Sequence, residues 1–273
     1  MQDSRKGGSL QGRQVAAILL LASVALRAEM ATVRNNVKLY YEIRGKGQPV
    51  VLLHGGTATI QYSFSRQIDL LAKDHKVIAI EQMGHGHSPD IDKRPFSYEE
   101  MTEDTAALLT KLGIKDADVV GWSDGGQIAL RLAAFHPDLV RRVLVSGVGF
   151  GTPEASRESV EQMTDVRWPR EFRDGYVSTS PDGMAHWPVV WRKACMMWAR
   201  PTWGFTEEDL HKIKAKALIV AGEHDVVSAD VTRRVAKAMP NAKVRILPGA
   251  DHWTFQNRAD LMNPVLFEFL DTP

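Results

Sequence analysis

Three residues far apart in the chain, Ser123, Asp225 and His252, are of the types that together make a hydroxyl group reactive. A serine hydroxyl is a weak nucleophile. An imidazole must take its proton, and a carboxylate must hold that imidazole in the right tautomer and balance the charge it gains. Ser123 lies in Gly121-Trp122-Ser123-Asp124-Gly125, entered from the apolar pair Val119-Val120 and left through Gln127-Ile128-Ala129-Leu130-Arg131-Leu132-Ala133-Ala134. A serine flanked by glycines between a strand and a helix reads as a nucleophile elbow, a turn so sharp that only small residues fit around it. The implied chemistry is acyl transfer through a covalent intermediate. His54-Gly55-Gly56-Thr57 follows another apolar run. Glycine there lets the backbone approach a substrate, and the N–H groups of Gly56 and Asp124 are the expected oxyanion hole, where one lost donor typically costs about 10²–10³ in rate. His54 itself is read as a structural histidine packing its loop.

These residues must be delivered by strands, and each follows one. Val50-Val51-Leu52-Leu53 is wholly apolar, as in a strand buried on both faces. Lys76–Ile80, Ala117–Gly121, Val140–Val145, Ala217–Val220 and Lys243–Leu247 repeat the pattern, after a first strand at Val37–Ile43. Helices are expected over Ile60–Leu71, from the S-x-x-E capping box at Ser97 to Leu112, over Ala229–Ala238 and over Ala259–Leu270. Alternating strands and helices predict an α/β fold, a mostly parallel central sheet with helices on both faces, whose reactive site lies beyond the carboxyl ends of the strands. Residues 29–148 and 210–273 form the expected core. Residues 149–209 lack strand patterning and hold five of the seven tryptophans, so they are expected to form a small helical cap over the serine.

The chain resembles the α/β-hydrolase superfamily, in its serine-nucleophile branch, over nearly all of Val33–Leu270. The resemblance rests on His54-Gly55-Gly56, Gly84-His85-Gly86-His87-Ser88, Gly121-Trp122-Ser123-Asp124-Gly125-Gly126, Gly222-Glu223-His224-Asp225 and Gly249-Ala250-Asp251-His252, and on the order Ser, Asp, His. It departs from that pattern at Glu81-Gln82-Met83, where many relatives have D-x-R, and the missing arginine puts a structural salt bridge in doubt. The elbow also resembles that of valacyclovir-hydrolase-like (biphenyl-hydrolase-like) esterases, which cleave α-amino acid esters. That resemblance implies an ammonium-binding role for Asp124; the plainer reading is a negative charge placed at a helix N-terminus.

The expected activity is hydrolysis of small, partly apolar carboxylic esters or lactones through an acyl-enzyme. Perhydrolase, C–C hydrolase and amidase chemistry use the same residues. A ligand receptor on this fold with little or no turnover is the alternative from another class. Trp122, Asp124, Trp187, Trp191, Met197 and Trp253 are the expected substrate pocket. No cofactor is expected, and no metal, because His85 and His87 lack a third ligand in the pattern.

The chain has 273 residues and a formal net charge of +1. Without a basic run interleaved with aromatics, nucleic acid is excluded as a partner. Arg5, Lys6 and Arg13 precede the uncharged run Val15–Leu26, too short for the roughly 20 residues that span a bilayer. Residues 1–28 therefore read as a secretory signal peptide cleaved after Ala25 or Ala28. The mature protein is then expected to be periplasmic or secreted, and free of the membrane. Initiation at Met30 would leave it cytoplasmic. Cys195 is the only cysteine, so no intrachain disulfide can form.

Overall fold

The computed structural model describes residues 26–271. The expected leader lies outside those residues except for its last three. Eight strands form one sheet: β1 (Arg27–Thr32), β2 (Lys38–Arg44), β3 (Gln48–Leu53), β4 (His75–Ile80), β5 (Ala117–Trp122), β6 (Val140–Ser146), β7 (Lys216–Gly222) and β8 (Ala242–Leu247). Their spatial order is β1-β2-β4-β3-β5-β6-β7-β8. β1 and β2 run antiparallel to their neighbours, and from β4 onward every pairing is parallel. Central β5 is buried along its whole length, and Val50–Leu53 of β3 are fully buried. Such strands have no polar face, which is why their sequence does not alternate.

Eleven α-helices accompany the sheet among the described residues. Those of the core are α1 (Ile60–Phe64), α2 (Ile68–Leu71), α3 (Tyr98–Lys111), α4 (Asp124–Phe135), α9 (Ala229–Lys237), α10 (Thr254–Asn257) and α11 (Ala259–Asp271). Between β6 and β7 the chain forms α5 (Glu154–Glu161), α6 (Arg170–Thr179), α7 (Trp187–Trp198) and α8 (Glu207–His211), with no strand. α4 packs on β5 and β6, and α9 on β7 and β8. No helix among the described residues is long and apolar enough to cross a membrane.

Two features differ from the sequence expectation. β1 was hidden by the leader pattern that overlaps it; its residues pair with β2 from Arg27 opposite Ile43 to Thr32 opposite Lys38. Residues 60–71 form two short helices rather than one. At the break the buried Gln67 amide donates to Phe255 O at 3.0 Å and Asn263 Oδ1 at 2.7 Å, contacts that local periodicity does not encode. At α3 the Ser97 half of the capping box forms, its Oγ accepting from Glu100 N–H, while the Glu100 carboxylate pairs with Arg94.

The insertion is fastened to the core by charge. Asp90, buried in the loop after β4, accepts from His186 Nε2 at 2.8 Å and from Lys193 Nζ at 2.7 Å. Its backbone N–H donates to Asp182 Oδ2. These bonds help to fix α7, and with it Trp198 at its end.

Candidate active site

β5 carries Ser123 to the carboxyl edge of the sheet and α4 starts directly after it. Ser123 is held at φ 53°, ψ −118°, a conformation L-residues rarely adopt outside such turns. The glycines around it permit this. A Cβ on Gly121 would lie 2.3 Å from Gly125 O, and one on Gly125 would lie 2.0 Å from Leu53 O. Ser123 N–H donates to Ser146 O at 2.8 Å, so β6 helps to pin the turn.

Asp225 follows β7 and His252 follows β8. The two loops are joined by His224 N–H donating to Ala250 O at 2.9 Å. Trp122 Nε1 donates to His252 O at 2.8 Å, tying the histidine to the end of β5. The result is a continuous chain of contacts: His252 Nδ1 lies 2.7 Å from Asp225 Oδ1, and His252 Nε2 lies 3.0 Å from Ser123 Oγ. Asp225 Oδ1 also accepts Val227 N–H at 2.9 Å, and the Asp225 side chain is fully buried. With Nδ1–H directed at the carboxylate, Nε2 is free to take the serine proton.

Ser123, His252, Gly56 and Asp124 border a cavity of about 120 Å³. Its apolar walls are Trp122, Trp168, Trp198 and Trp203, with Val226 and Val227 from the loop after Asp225. Of the pocket residues expected from sequence, Trp122 and Asp124 border this cavity. Trp187, Trp191, Met197 and Trp253 do not. Trp187 and Trp191 turn their N–H groups to Asp165 Oδ2 and Met163 O inside the insertion, where Met197 is also buried. Trp253 packs edge-on to the His252 ring and borders a separate open groove that includes Tyr62 and Gly175. An aromatic-rich segment must bury most of its rings in itself, so only some are left for the cavity.

Sequence reasoning missed Gly147, which follows β6. A Cβ there would lie 2.6 Å from His252 Cε1, and the residue has φ +71°. Its position one residue beyond a strand end was the available signal.

Asp124 is the first residue of α4, the helix N-terminal place the plainer reading from sequence gives it, and it is also held from outside that helix. Its carboxylate accepts from Tyr98 OH at 2.7 Å, and Trp198 Nε1 lies 3.0 Å from each of its oxygens. Burial pushes this carboxyl upward, against the lowering effect of those hydrogen bonds.

His54, His85 and His87 are held by contacts within the fold. His54 Nδ1 lies 2.7 Å from Gly55 O and Nε2 accepts Gln82 N–H at 2.9 Å, while burial pushes the imidazole down to about 3. His85 Nδ1 lies 3.0 Å from Met83 O. His87 Nδ1 lies 2.9 Å from Glu81 Oε2. Among the described residues no three His, Cys, Asp or Glu side chains converge as metal ligands. Cys195 is buried in α7, and burial pushes its thiol up to about 11, far from nucleophilic.

The sequence profile of the "Alpha/beta hydrolase family" matches residues 50–264. The chain is similar to serine hydrolase BPHL of Homo sapiens, 26% identical over 86% of this chain and 84% of that protein. It is similar to 2-hydroxymuconate semialdehyde hydrolase of Pseudomonas putida, 25% identical over 83% of this chain and 88% of that one. Among solved structures, the enol-lactonase of Burkholderia xenovorans LB400 superposes with a TM-score of 0.72 at 25% identity, covering 89% of this chain and all of the other.

Proposed function

Because the chain belongs to the alpha/beta hydrolase family, we propose that it is a serine hydrolase cleaving small, partly apolar carboxylic esters or lactones. The observation that carries this reading is the unbroken Asp225–His252–Ser123 contact chain opening onto an apolar cavity. Ser123 Oγ attacks the carbonyl carbon while His252 Nε2 takes its proton. The tetrahedral oxyanion is held by the Gly56 and Asp124 N–H groups. His252 then returns the proton to the leaving oxygen, and the alcohol departs. Water, deprotonated by the same imidazole, releases the acid from the acyl-enzyme.

A wall of four tryptophans supports apolar acyl groups over charged ones. A second reading, hydrolysis of α-amino acid esters with the ammonium on Asp124, draws support from that carboxylate bordering the cavity beside Ser123. Its oxygens already accept from Tyr98 and Trp198, which favours the neutral-ester reading. The made contacts from Ser123 to His252 and Asp225 also favour turnover over a non-catalytic receptor. Periplasmic placement is proposed on the leader pattern alone.

The test is a panel of short p-nitrophenyl esters, lactones and amino-acid esters on purified protein. Turnover should be confined to small neutral esters or lactones and vanish in Ser123→Ala. Undiminished turnover in that variant overturns the mechanism, and a strong preference for charged amino-acid esters lost in Asp124→Asn establishes the second reading instead.

A further inference from the structure

Trp198, the last residue of α7, is fixed from several sides. Its indole N–H is shared between the two oxygens of Asp124, and Asp124 is itself held by Tyr98 OH. Its ring stacks on Trp168, with centroids 5.4 Å apart and planes at 28°. Its carbonyl accepts from Thr152 Oγ1 at 2.6 Å and from Trp203 Nε1 at 2.9 Å. Trp168 and Trp203 border the cavity too, so three cavity tryptophans are locked to one another through Trp198. The ring also reaches the oxyanion loop: a Cβ on Gly56 would lie 2.6 Å from Trp198 Cζ2 and 2.2 Å from Asp124 Oδ2.

We propose that Trp198 sets the longest acyl chain this protein accepts, and that Asp124 is a positioning residue that holds Trp198 in place. The inference rests on the reading of Ser123 as the acylated residue. A cavity of about 150 Å³ takes benzene. By that measure the 120 Å³ beside Ser123 takes about five carbon-sized atoms, one end of which must be the carbonyl on Ser123. A longer chain directed at Trp198 has to displace a ring whose face, N–H and backbone carbonyl are all engaged. Close-packed aromatic walls do not yield gradually, so the limit is a step rather than a slope.

The test uses p-nitrophenyl acetate, butanoate, hexanoate and octanoate in two measurements. One is kcat/KM in the active protein. The other is binding to Ser123→Ala, read by quenching of the cavity tryptophans, which reports the cavity without turnover. Both should fall by about tenfold or more between butanoate and octanoate. Trp198→Ala should remove that fall. Trp198→Phe keeps a ring and loses the bond to Asp124, and should remove part of it. Asp124→Ala should act like Trp198→Ala, and the double variant should go no further than Trp198→Ala alone.

Octanoate handled as well as acetate by the unaltered protein overturns the proposal, as does an unchanged length profile in Trp198→Ala. An additive shift in the double variant, or a Trp198→Phe profile identical to that of the unaltered protein, overturns the role of Asp124. If no ester binds to Ser123→Ala, the cavity is not an acyl pocket and the proposal falls. If no ester is hydrolysed yet the binding limit is found, the hydrolase reading fails and the limit stands.

Discussion

His87 donates both its backbone N–H, at 2.6 Å, and its ring Nδ1–H, at 2.9 Å, to the same oxygen of the buried Glu81 carboxylate. The other oxygen of Glu81 accepts Ile60 N–H at the start of α1. A single carboxylate thus joins the turn after β4 to the segment that follows Gly56.

That pairing predicts a pH-dependent part of the stability. The hydrogen bond to Glu81 favours the protonated ring and raises the His87 imidazole above its ordinary 6.5, with burial opposing it. The stabilisation is therefore complete below about pH 6.5 and is lost as pH rises through the elevated folded value. Thermal melts of the protein and of His87→Gln should differ most near about pH 6 and converge by about pH 9. A gap that widens with pH would contradict this.

His54 works in the opposite direction. Burial, with a smaller contribution from His85, drives its imidazole from 6.5 to about 3. The unfolded chain therefore binds a proton in a range where the folded one does not. Stability should fall as pH drops from about 6.5 towards 3. His54→Asn should unfold with a shallower acid slope in urea titrations over that range. At neutral pH it should lose about 1–3 kcal/mol if Gln82 N–H is left unpaired.

Gly147→Ala should damage catalysis without removing any reacting group. The added methyl would sit 2.6 Å from His252 Cε1, on a backbone at φ +71° that resists any side chain. Displacing the imidazole by about 1 Å is expected to cost about 10²-fold in kcat. Far-ultraviolet circular dichroism should remain native, and a fully active variant would show that the ring has room to move.

Asp225→Asn tests how the imidazole is oriented. Val227 N–H and His252 Nδ1 both meet the same oxygen, Asp225 Oδ1, so the amide either keeps both contacts without the balancing charge or turns its NH₂ to Nδ1 and favours the wrong tautomer. A loss of about 10⁴-fold in kcat is expected, with the melting temperature little changed. A loss below about tenfold would mean that Asp225 does not orient His252.

Mass spectrometry of the protein made in a host with an export pathway tests the proposed leader. Cleavage after Ala25 leaves β1 intact from Arg27, whereas cleavage after Ala28 removes the Arg27 and Ala28 pairings with Ile43 and Glu42. If the proposed leader is removed, keeping every β1 pairing favours the cut after Ala25 of the two. A start at Met30 would remove half of β1 and should lower the melting temperature.

How much could be read in advance followed a physical division. Ser123, Asp225 and His252 were legible because each sits just past a strand, and a strand announces itself through local composition over five or six residues. Their convergence was also legible, since parallel strands present their carboxyl ends along one edge of a sheet. Contacts between side chains distant in sequence were not legible. The sequence shows a tryptophan-rich insertion but not that Trp168, Trp198 and Trp203 face the serine while Trp187 and Trp191 face one another. It shows an acid after the nucleophile but not that Tyr98 and Trp198 have already claimed it. The pairing of His87 with Glu81 is of the same kind. Periodicity along the chain fixes which residues leave the solvent, whereas the partner each one meets is set by how the insertion docks on the sheet, and that is decided only when the whole chain packs.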